Sequence, residues 1–341
     1  MFRILSLPGG GLRGAFAIEF LAEIEQRLDH AIGEYFDLIA GTSTGSITAS
    51  ALCHGMTAKA LEDFYNDYSE QIFRPREPYR PSSALRPIYS LLRSILAGRS
   101  SINLDHFFQS RYCPFSLNDA LEAGFGDCRL SELSKSRLLV PSVNLSDGKT
   151  RVFRTPHLPR RSDSHDWRVV DVIIASAAAP TYFPHKTMPD GKSYVDGGLW
   201  ANDPGLAAIS ETVRITEQCR REEDVPFNLS DIWMLSLGTG QSSYSLSPPN
   251  ADAGMLYWSR HIAEVMSISQ VQGTQLPLRF VLESRYRQVD FDLNDPTWTL
   301  DNTAATGELF QLGHERASEL FSEIRDPYFL EPTTPFVPFN Q

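Results

Sequence analysis

A serine between two glycines is the residue of this sequence best suited to act as a nucleophile. The surrounding G-x-S-x-G pattern consists of Gly41, Thr42, Ser43, Thr44 and Gly45. The apolar run at 35–40 predicts a buried strand before it, and the small residues at 46–52 predict a helix after it. A strand, a tight turn with serine at its apex and a helix form a nucleophile elbow, in which the glycines prevent a clash between strand and helix. The alternative is a Ser/Thr/Gly-rich loop without a chemical role, because so short a pattern also occurs by chance.

A glycine-rich turn after the first predicted strand, residues 2–7, could bind an anion. Its residues are Gly9, Gly10, Gly11, Leu12, Arg13 and Gly14. Three of its glycines match G-x-G-x-x-G, the dinucleotide-binding pattern, but the acidic residue nearest the expected spacing, Glu34, precedes the second strand. Backbone N–H groups at a helix N-terminus can equally hold a transient oxyanion. Plain turn chemistry is the third possibility.

A carboxylate follows a third predicted strand, 193–195, in the sequence Asp196-Gly197-Gly198. Because the carboxyl ends of parallel strands share one edge of a sheet, we expect the glycine turn, Ser43 and Asp196 to converge there. A serine hydroxyl needs an adjacent base, so Ser43 would be the nucleophile and Asp196 the base. Gly9, Gly10 and Gly11 would offer N–H groups to the oxyanion. The alternative for Asp196 is an ordinary Asp-Gly turn.

The elements that position these residues alternate between strand and helix, which predicts an α/β fold with a largely parallel central sheet. No linker interrupts the chain, so we expect one domain over 1–341, with the motifs in 1–240 and a C-terminal extension of the same domain in 241–341. After a strand at 232–237, the pattern predicts a helix near 253–272 and strands near 278–284 and 288–293. Short helices are also expected at 104–112 and 116–123.

Composition limits the function classes. The net charge is −11, which argues against binding to nucleic acid polymers. The 4 cysteines have no C-x-x-C or zinc spacing, which predicts free thiols in a reducing compartment. We expect no metal and no cofactor. No apolar run approaches the ~20 residues of a membrane span, and the N-terminus lacks a signal peptide. We therefore expect a cytoplasmic protein.

Residues 73–100 differ in character from the rest. Their six arginines (Arg74, Arg76, Arg80, Arg86, Arg93 and Arg99) are accompanied by a single acid, Glu77. One helical face of this segment is apolar. A basic helix with an apolar face predicts a lid or a contact with a membrane surface. The alternative is an ordinary amphipathic helix on the core.

The three glycine-containing motifs together resemble those of the patatin-like phospholipases. The matching segments, in this order and spacing, are GGGLRG at 9–14, GTSTG at 41–45 and DGG at 196–198. Asn202, Pro204 and the segment SLGTG at 236–240 add to the likeness, which covers about 1–240. The resemblance implies a three-layer α/β/α fold and hydrolysis of lipid acyl esters by a Ser43–Asp196 dyad, with the 9–14 turn as oxyanion hole. Pro8 departs from the aspartate that plant members often have.

Within that family the chain looks most like the bacterial anti-phage effectors that cyclic nucleotides activate. This implies a membrane phospholipid substrate, a cyclic dinucleotide activator, peripheral contact with the inner membrane when active, and a possible homo-oligomer. A basic cluster beside Phe153 and Trp167 is one place for the nucleotide; its members are Arg151, Arg154, Arg160, Arg161 and Arg168. A solvated basic loop is the plain alternative, and a constitutive lysophospholipase or esterase is the alternative function.

Two further functions compete with this interpretation. An α/β-hydrolase triad would use Ser43, Asp196 and either His261 or His314, but only two strands precede Ser43, too few for that fold. A dinucleotide-binding module would use the 9–14 turn alone and would leave Ser43 and Asp196 without a role.

Overall fold

The described part of the protein is built on one sheet of eight strands. The computed structural model describes residues 1–96, 104–158, 166–223, 228–241 and 252–339. The strands are β1 (Phe2–Leu7), β2 (Leu38–Gly41), β3 (Arg137–Asn144), β4 (Lys149–Arg154), β5 (Lys186–Thr187), β6 (Ser193–Asp196), β7 (Ile232–Leu237) and β8 (Tyr286–Val289). They lie in the order β5-β6-β3-β2-β1-β7-β8, with β4 also paired to β3. The pairs among β3, β2, β1, β7 and β8 are parallel, which confirms the predicted, largely parallel α/β sheet.

Helices cover both faces of the sheet. They are α1 (Ala15–Glu25), α2 (Thr44–His54), α3 (Ala58–Ile72), α4 (Arg86–Leu96), α5 (Pro114–Phe125), α6 (Val169–Ala177), α7 (Gly198–Ala201), α8 (Gly205–Glu223), α9 (Met255–Leu282) and α10 (Thr306–Phe329). Alternate residues of a strand point to opposite faces. On β1, Leu5 and Leu7 join the core beneath α1, α2 and α10, whereas Ile4 joins the core beneath α8 and α9. The expected three layers therefore form from the alternation of apolar residues in the strands.

The pairing of β3 brings two strand ends together. One edge of β3 is occupied by β4 along 139–144, so β2, which pairs with 137–139, and β6, which pairs with 142–144, share the other edge. β2 is parallel to β3 and β6 is antiparallel to it, so β2 and β6 run towards each other. Their C-terminal ends meet where β2 leads into the serine turn and β6 ends at Asp196.

Two predicted elements near the C-terminus are wrong or displaced. The strand expected at 278–284 is helical, because α9 continues through Pro277 to Leu282. Leu278 and Leu282 are both buried against β7 and β8, and their separation of four residues is helical spacing. The same apolar sequence is also compatible with a strand, which explains the wrong prediction. The following strand is β8, which begins before the predicted residue 288.

Two short helices were expected in the middle of the chain. The helix expected at 104–112 is one short turn, Leu104–Phe107, whereas α5 agrees with the helix expected at 116–123.

Among the described residues, none of the helices is both long and apolar enough to cross a membrane.

Candidate active site

Ser43 occupies a strained turn between β2 and α2. Its backbone has φ 53° and ψ −122°, outside the conformations that residues with a side chain readily adopt. The two glycines of the pattern permit the close approach: a Cβ atom on Gly41 would lie 2.1 Å from Gly45 O, and one on Gly45 would lie 2.0 Å from Leu7 O. The turn has the geometry of a nucleophile elbow, with Ser43 directly before the N-terminus of α2.

The Ser43 hydroxyl donates a hydrogen bond of 2.8 Å from Oγ to Asp196 Oδ2. The other carboxylate oxygen, Oδ1, accepts a bond of 2.6 Å from the Gly198 N–H. Burial raises the pKa of Asp196 to about 6, although the hydrogen bonds from Gly198 and Ser43 oppose the shift. Ser43 and Asp196 do converge, but the predicted parallel direction of the strand before Asp196 is wrong. Asp196 reaches Ser43 because β6 is antiparallel and ends opposite β2.

The glycine turn at 9–14 lies directly beside Ser43. A Cβ atom on Gly9 would be 3.0 Å from Ser43 Cβ. The Gly9 N–H donates to Asn202 O at 2.9 Å, and the Leu12 N–H donates to Leu300 O at 2.8 Å. In the part of the chain that the structure describes, no such bond involves the Gly10 or Gly11 N–H. Of the three predicted oxyanion donors, Gly9 is therefore already engaged, and Gly10 and Gly11 are available.

A fourth N–H group, which the sequence analysis did not single out, adjoins Ser43. Thr44 is the first residue of α2, where the backbone N–H has no acceptor within the helix. In nucleophile elbows the residue after the nucleophile commonly supplies one oxyanion donor. The signal was present in the sequence, since it follows from the position of Thr44 in the motif.

Arg13 holds the glycine turn from the cavity side. Its guanidinium Nε donates a long bond of 3.4 Å to Gly10 O, and its side chain lines the cavity in front of Ser43. Burial lowers the pKa of this guanidinium, while the carboxylate of Asp290 favours its charged form. The remaining motif residues have structural positions: Thr42 Oγ1 donates to Ala201 O at 2.7 Å, and Gly197 lies over Pro141, whose carbonyl oxygen would be 2.3 Å from a Cβ there.

Ser43 and Asp196 open into a cavity of about 280 Å³ with mostly apolar walls. The apolar residues that shape it include Ile47, Ile72, Leu117, Phe183, Leu199 and Leu300. Within the described ranges, no histidine is among the lining residues. His314 lies 3.2 Å from Glu23, and the His261 ring lies tilted against Tyr257 with 4.5 Å between ring centroids, so neither occupies the position that the triad alternative requires. An apolar cavity beside a serine–aspartate pair suits an acyl chain.

The basic cluster predicted to hold a nucleotide is only partly free. Arg154 makes two bonds to Glu211, of 2.7 and 2.9 Å, and Arg168 pairs with Glu122 and Asp127. Arg151 instead lies over the rings of Phe153 and Trp167, at 5.6 and 5.9 Å from their centroids. Arg160 and Arg161 lie outside the described residues.

The predicted lid or membrane segment, 73–100, is described as far as residue 96. It contains α4, whose apolar face includes Leu85 immediately before the helix, Ile88 and Leu91. These three side chains are 45%, 59% and 62% exposed, so they do not pack on the core as the alternative interpretation required. In the described part of the chain, no cluster of His, Cys, Asp or Glu has the arrangement of a metal site.

Residues 5–209 match the model of a family described as patatin-like phospholipase. The chain belongs to the patatin-like phospholipase family. This confirms the resemblance carried by the three motifs, and with it the prediction of a phospholipase.

Named relatives of this patatin-like phospholipase include three bacterial proteins described as cGAMP-activated phospholipases. The one from Vibrio cholerae serotype O1 is 33% identical, over 94% of this chain and 92% of the relative. The one from Pseudomonas aeruginosa is 31% identical, over 96% of this chain and 90% of the relative. The one from Escherichia coli is 36% identical, over 72% of this chain, and the match spans 64% of that relative.

Proposed function

We propose that this protein hydrolyses acyl esters of membrane phospholipids with Ser43 as nucleophile and Asp196 as base, and that a cyclic dinucleotide activates it. The observation that carries the proposal is the 2.8 Å hydrogen bond from Ser43 Oγ to Asp196 Oδ2 at the wall of an apolar cavity. The family assignment supports the reaction class, and the apolar walls support an acyl substrate.

In the first step Asp196 accepts the proton of the Ser43 hydroxyl while Oγ attacks the ester carbonyl carbon. Because burial raises the pKa of Asp196 to about 6, it is a stronger base than an exposed aspartate and is still ionised at neutral pH. The negative charge that develops on the carbonyl oxygen is stabilised by the N–H groups of Gly10, Gly11 and Thr44. Such donors act without reorganisation because the turn is already formed.

The tetrahedral intermediate then collapses, and the C–O bond to the alcohol breaks. The departing lysophospholipid oxygen takes the proton from Asp196, and the acyl group remains on Ser43. Asp196 then removes a proton from a water molecule, which attacks the acyl-enzyme and releases the fatty acid. The proton returns to Ser43 Oγ, so the enzyme is restored and no cofactor is consumed.

Regulation is proposed from the relatives and from the substrate. The three bacterial relatives are named as cGAMP-activated. A phospholipase in contact with the membrane of the cell that makes it would damage that membrane unless it had an inactive state. A nucleotide can activate only by binding the active state more tightly. Because Arg154 is held by Glu211, we narrow the proposed nucleotide contact to Arg151, stacked on Phe153 and Trp167, together with Arg160 and Arg161 of the same cluster.

Contact with the inner membrane is proposed for the segment 73–100, through its arginines and the exposed Leu85, Ile88 and Leu91. Each basic residue near an anionic lipid surface is worth roughly 1 kcal/mol.

The test is product analysis on mixed phospholipid vesicles, with and without cGAMP, for the wild type and Ser43→Ala. We expect fatty acid and lysophospholipid to appear only with wild-type protein and cGAMP. Equal hydrolysis without the nucleotide would leave a constitutive phospholipase or esterase, and hydrolysis by Ser43→Ala would remove the dyad from the reaction.

A further inference from the structure

We infer that a stripe of apolar side chains on the first half of α9 is the surface through which the rim of the active-site cavity enters the lipid bilayer. The stripe consists of Trp258, Ile262 and Met266 and is called the α9 stripe below. The inference rests on the proposed function, since it names the surface by which the enzyme reaches a bilayer substrate. It is independent of the basic segment 73–100.

The α9 stripe is exposed along one face of the helix. Its members are spaced by four residues, which places them one above another. They are 41%, 45% and 50% exposed, and Met255 at the start of the helix is 87% exposed. A contiguous exposed apolar surface on a globular protein marks a contact with another molecule or with a membrane.

The helix places this stripe at the mouth of the cavity. The cavity that contains Ser43 is lined by Ala263 and Ser267. Each of these residues directly follows a member of the stripe in the sequence. Gln270 fixes the helix to α7, because its side chain accepts a bond from the Asn202 N–H at 3.1 Å and donates one to Leu199 O at 2.5 Å. Leu199 also lines the cavity and is 43% exposed, so it continues the apolar surface across the mouth.

Charge is sparse on this part of the chain. Between residues 255 and 272 the charged side chains are those of Arg260 and Glu264, with His261 between them, although the whole chain carries a net charge of −11. An acidic protein is repelled by anionic lipid unless it approaches with a weakly charged or basic face. The α9 stripe offers such a face next to the reactive serine.

A bilayer fits this surface better than a second protein molecule does. A phospholipid must pass from the bilayer into the cavity, so the rim of the cavity has to touch lipid for the proposed reaction to occur. Tyrosine and tryptophan, present at 257 and 258, favour the membrane–water interface. An interfacial helix buries only its apolar face among the headgroups and does not span the membrane.

Flotation with phosphatidylcholine vesicles tests the inference, because these zwitterionic headgroups carry no net charge and so largely remove the electrostatic contribution of the arginines. All proteins carry Ser43→Ala so that the vesicles stay intact, and cGAMP is present throughout. The stripe variant is Ile262→Gln/Met266→Gln, since glutamine keeps the helix propensity. The matched control is Leu276→Gln/Phe280→Gln, on the same helix at side chains that are 58% and 74% exposed and do not line the cavity.

We expect the stripe variant to bind vesicles at least about tenfold more weakly than the control, because two apolar side chains no longer leave water. Equal flotation of the two variants, or no flotation of the parent, would overturn the inference. Light scattering of the same proteins gives a further outcome. A lower molecular mass for the stripe variant with flotation unchanged would assign the stripe to contact between two copies of the chain, which also overturns it.

Hydrolysis by the Ser43-intact proteins separates this inference from the proposed function. A short-chain ester below its micellar concentration reports the chemistry without a bilayer. The stripe variant should lower the ratio of vesicle to ester hydrolysis at least about tenfold, whereas the control should leave it unchanged. If the wild type hydrolyses neither substrate, the proposed function fails while flotation still decides on the surface.

Discussion

Gly9 and Asn202 are joined by two hydrogen bonds that run in opposite directions. The Gly9 N–H donates to Asn202 O at 2.9 Å, and Asn202 Nδ2 donates to Gly9 O at 3.2 Å. Asn202 follows α7, the short helix that begins two residues after Asp196. The position of the glycine turn is therefore set relative to the same short segment that supplies the base.

Replacing Asn202 with alanine should lower kcat moderately without unfolding the protein. The backbone bond from Gly9 to residue 202 remains, and Thr239 Oγ1 still donates to Gly9 O at 3.0 Å. Loss of one side-chain hydrogen bond, about 0.5–1.5 kcal/mol, corresponds to a decrease of roughly two- to tenfold. Steady-state kinetics on a short-chain ester measures it. Asn228→Ala is the control, since Asn228 is exposed, caps the single turn Leu229–Asp231 and does not line the cavity. A pure increase in KM would mean that Asn202 acts on substrate binding instead.

Ser43→Ala and Asp196→Asn should each abolish hydrolysis, and the double variant should be no worse than either. The two residues act as one unit, so their effects are not additive. Losses of about 10⁴-fold are typical when the base system of a serine hydrolase is disabled. His261→Ala and His314→Ala serve as controls and should retain activity with intact folding. Substantial turnover by folded Asp196→Asn would contradict the dyad.

Activity should fall as the pH drops below about 6, because the base form of Asp196 is required and burial raises its pKa to about 6. The profile of kcat/KM on a monomeric ester should be half-maximal near that pH and level through neutral pH. The same midpoint is expected in His261→Ala, which separates the carboxylate from a histidine base. A midpoint that disappears in that variant would point to histidine.

Gly10→Ala should lower turnover at least about 10²-fold, the scale for loss of one oxyanion donor. A Cβ atom there would lie 2.3 Å from Thr239 Cβ, so the turn must shift and carry its N–H groups away from the carbonyl oxygen. Gly254→Ala is the matched control, since a Cβ there would have no neighbour within 4 Å. Binding of an apolar substrate analogue should change less than kcat. Unchanged turnover in Gly10→Ala would exclude the turn from transition-state stabilisation.

His157 should make the protein less stable in acid. Burial lowers its pKa from 6.5 to about 4, only partly opposed by Glu211. Between these values the unfolded chain binds a proton that the folded protein does not, so the free energy of unfolding falls as the pH falls through this range. From pH 7 to pH 5 the contribution is about 2 kcal/mol.

The measurement is urea unfolding of wild type and His157→Gln at both pH values, with the exposed His185→Gln as control. Only His157→Gln should flatten the decrease. The comparison is made between variants because Asp196 and Asp203, whose pKa values burial raises to about 6, shift stability in the opposite direction. Glu211 adds to the acid sensitivity below its ordinary pKa: burial alone would raise that pKa, but His157, Arg154 and Arg214 lower it to about 2. An equal decrease in His157→Gln and wild type would assign the acid sensitivity elsewhere.

The local part of the site could be predicted from sequence because it depends on neighbours along the chain. The elbow around Ser43 needs two glycines four positions apart, and Gly41 and Gly45 are visible in the sequence itself. Strand direction depends on partners far away, so the antiparallel course of β6 was not visible. The same limit applies to Arg154. Its ion-pair partner Glu211 lies on α8, far away in the sequence, so the pairing could not be predicted.

The bond from the Leu12 N–H to Leu300 O has a consequence for how the chain could be switched off. The family match ends at residue 209, yet Leu300 and Thr239, which both anchor the glycine turn, lie beyond it. A protease that cut the polypeptide after the matched segment and released the remainder would take both anchors away from the glycine turn. It would also remove β7 from beside β1 and α10 from the core under α1, so the fragment would keep the sequence motifs of Ser43 and Asp196 without the fold that positions them.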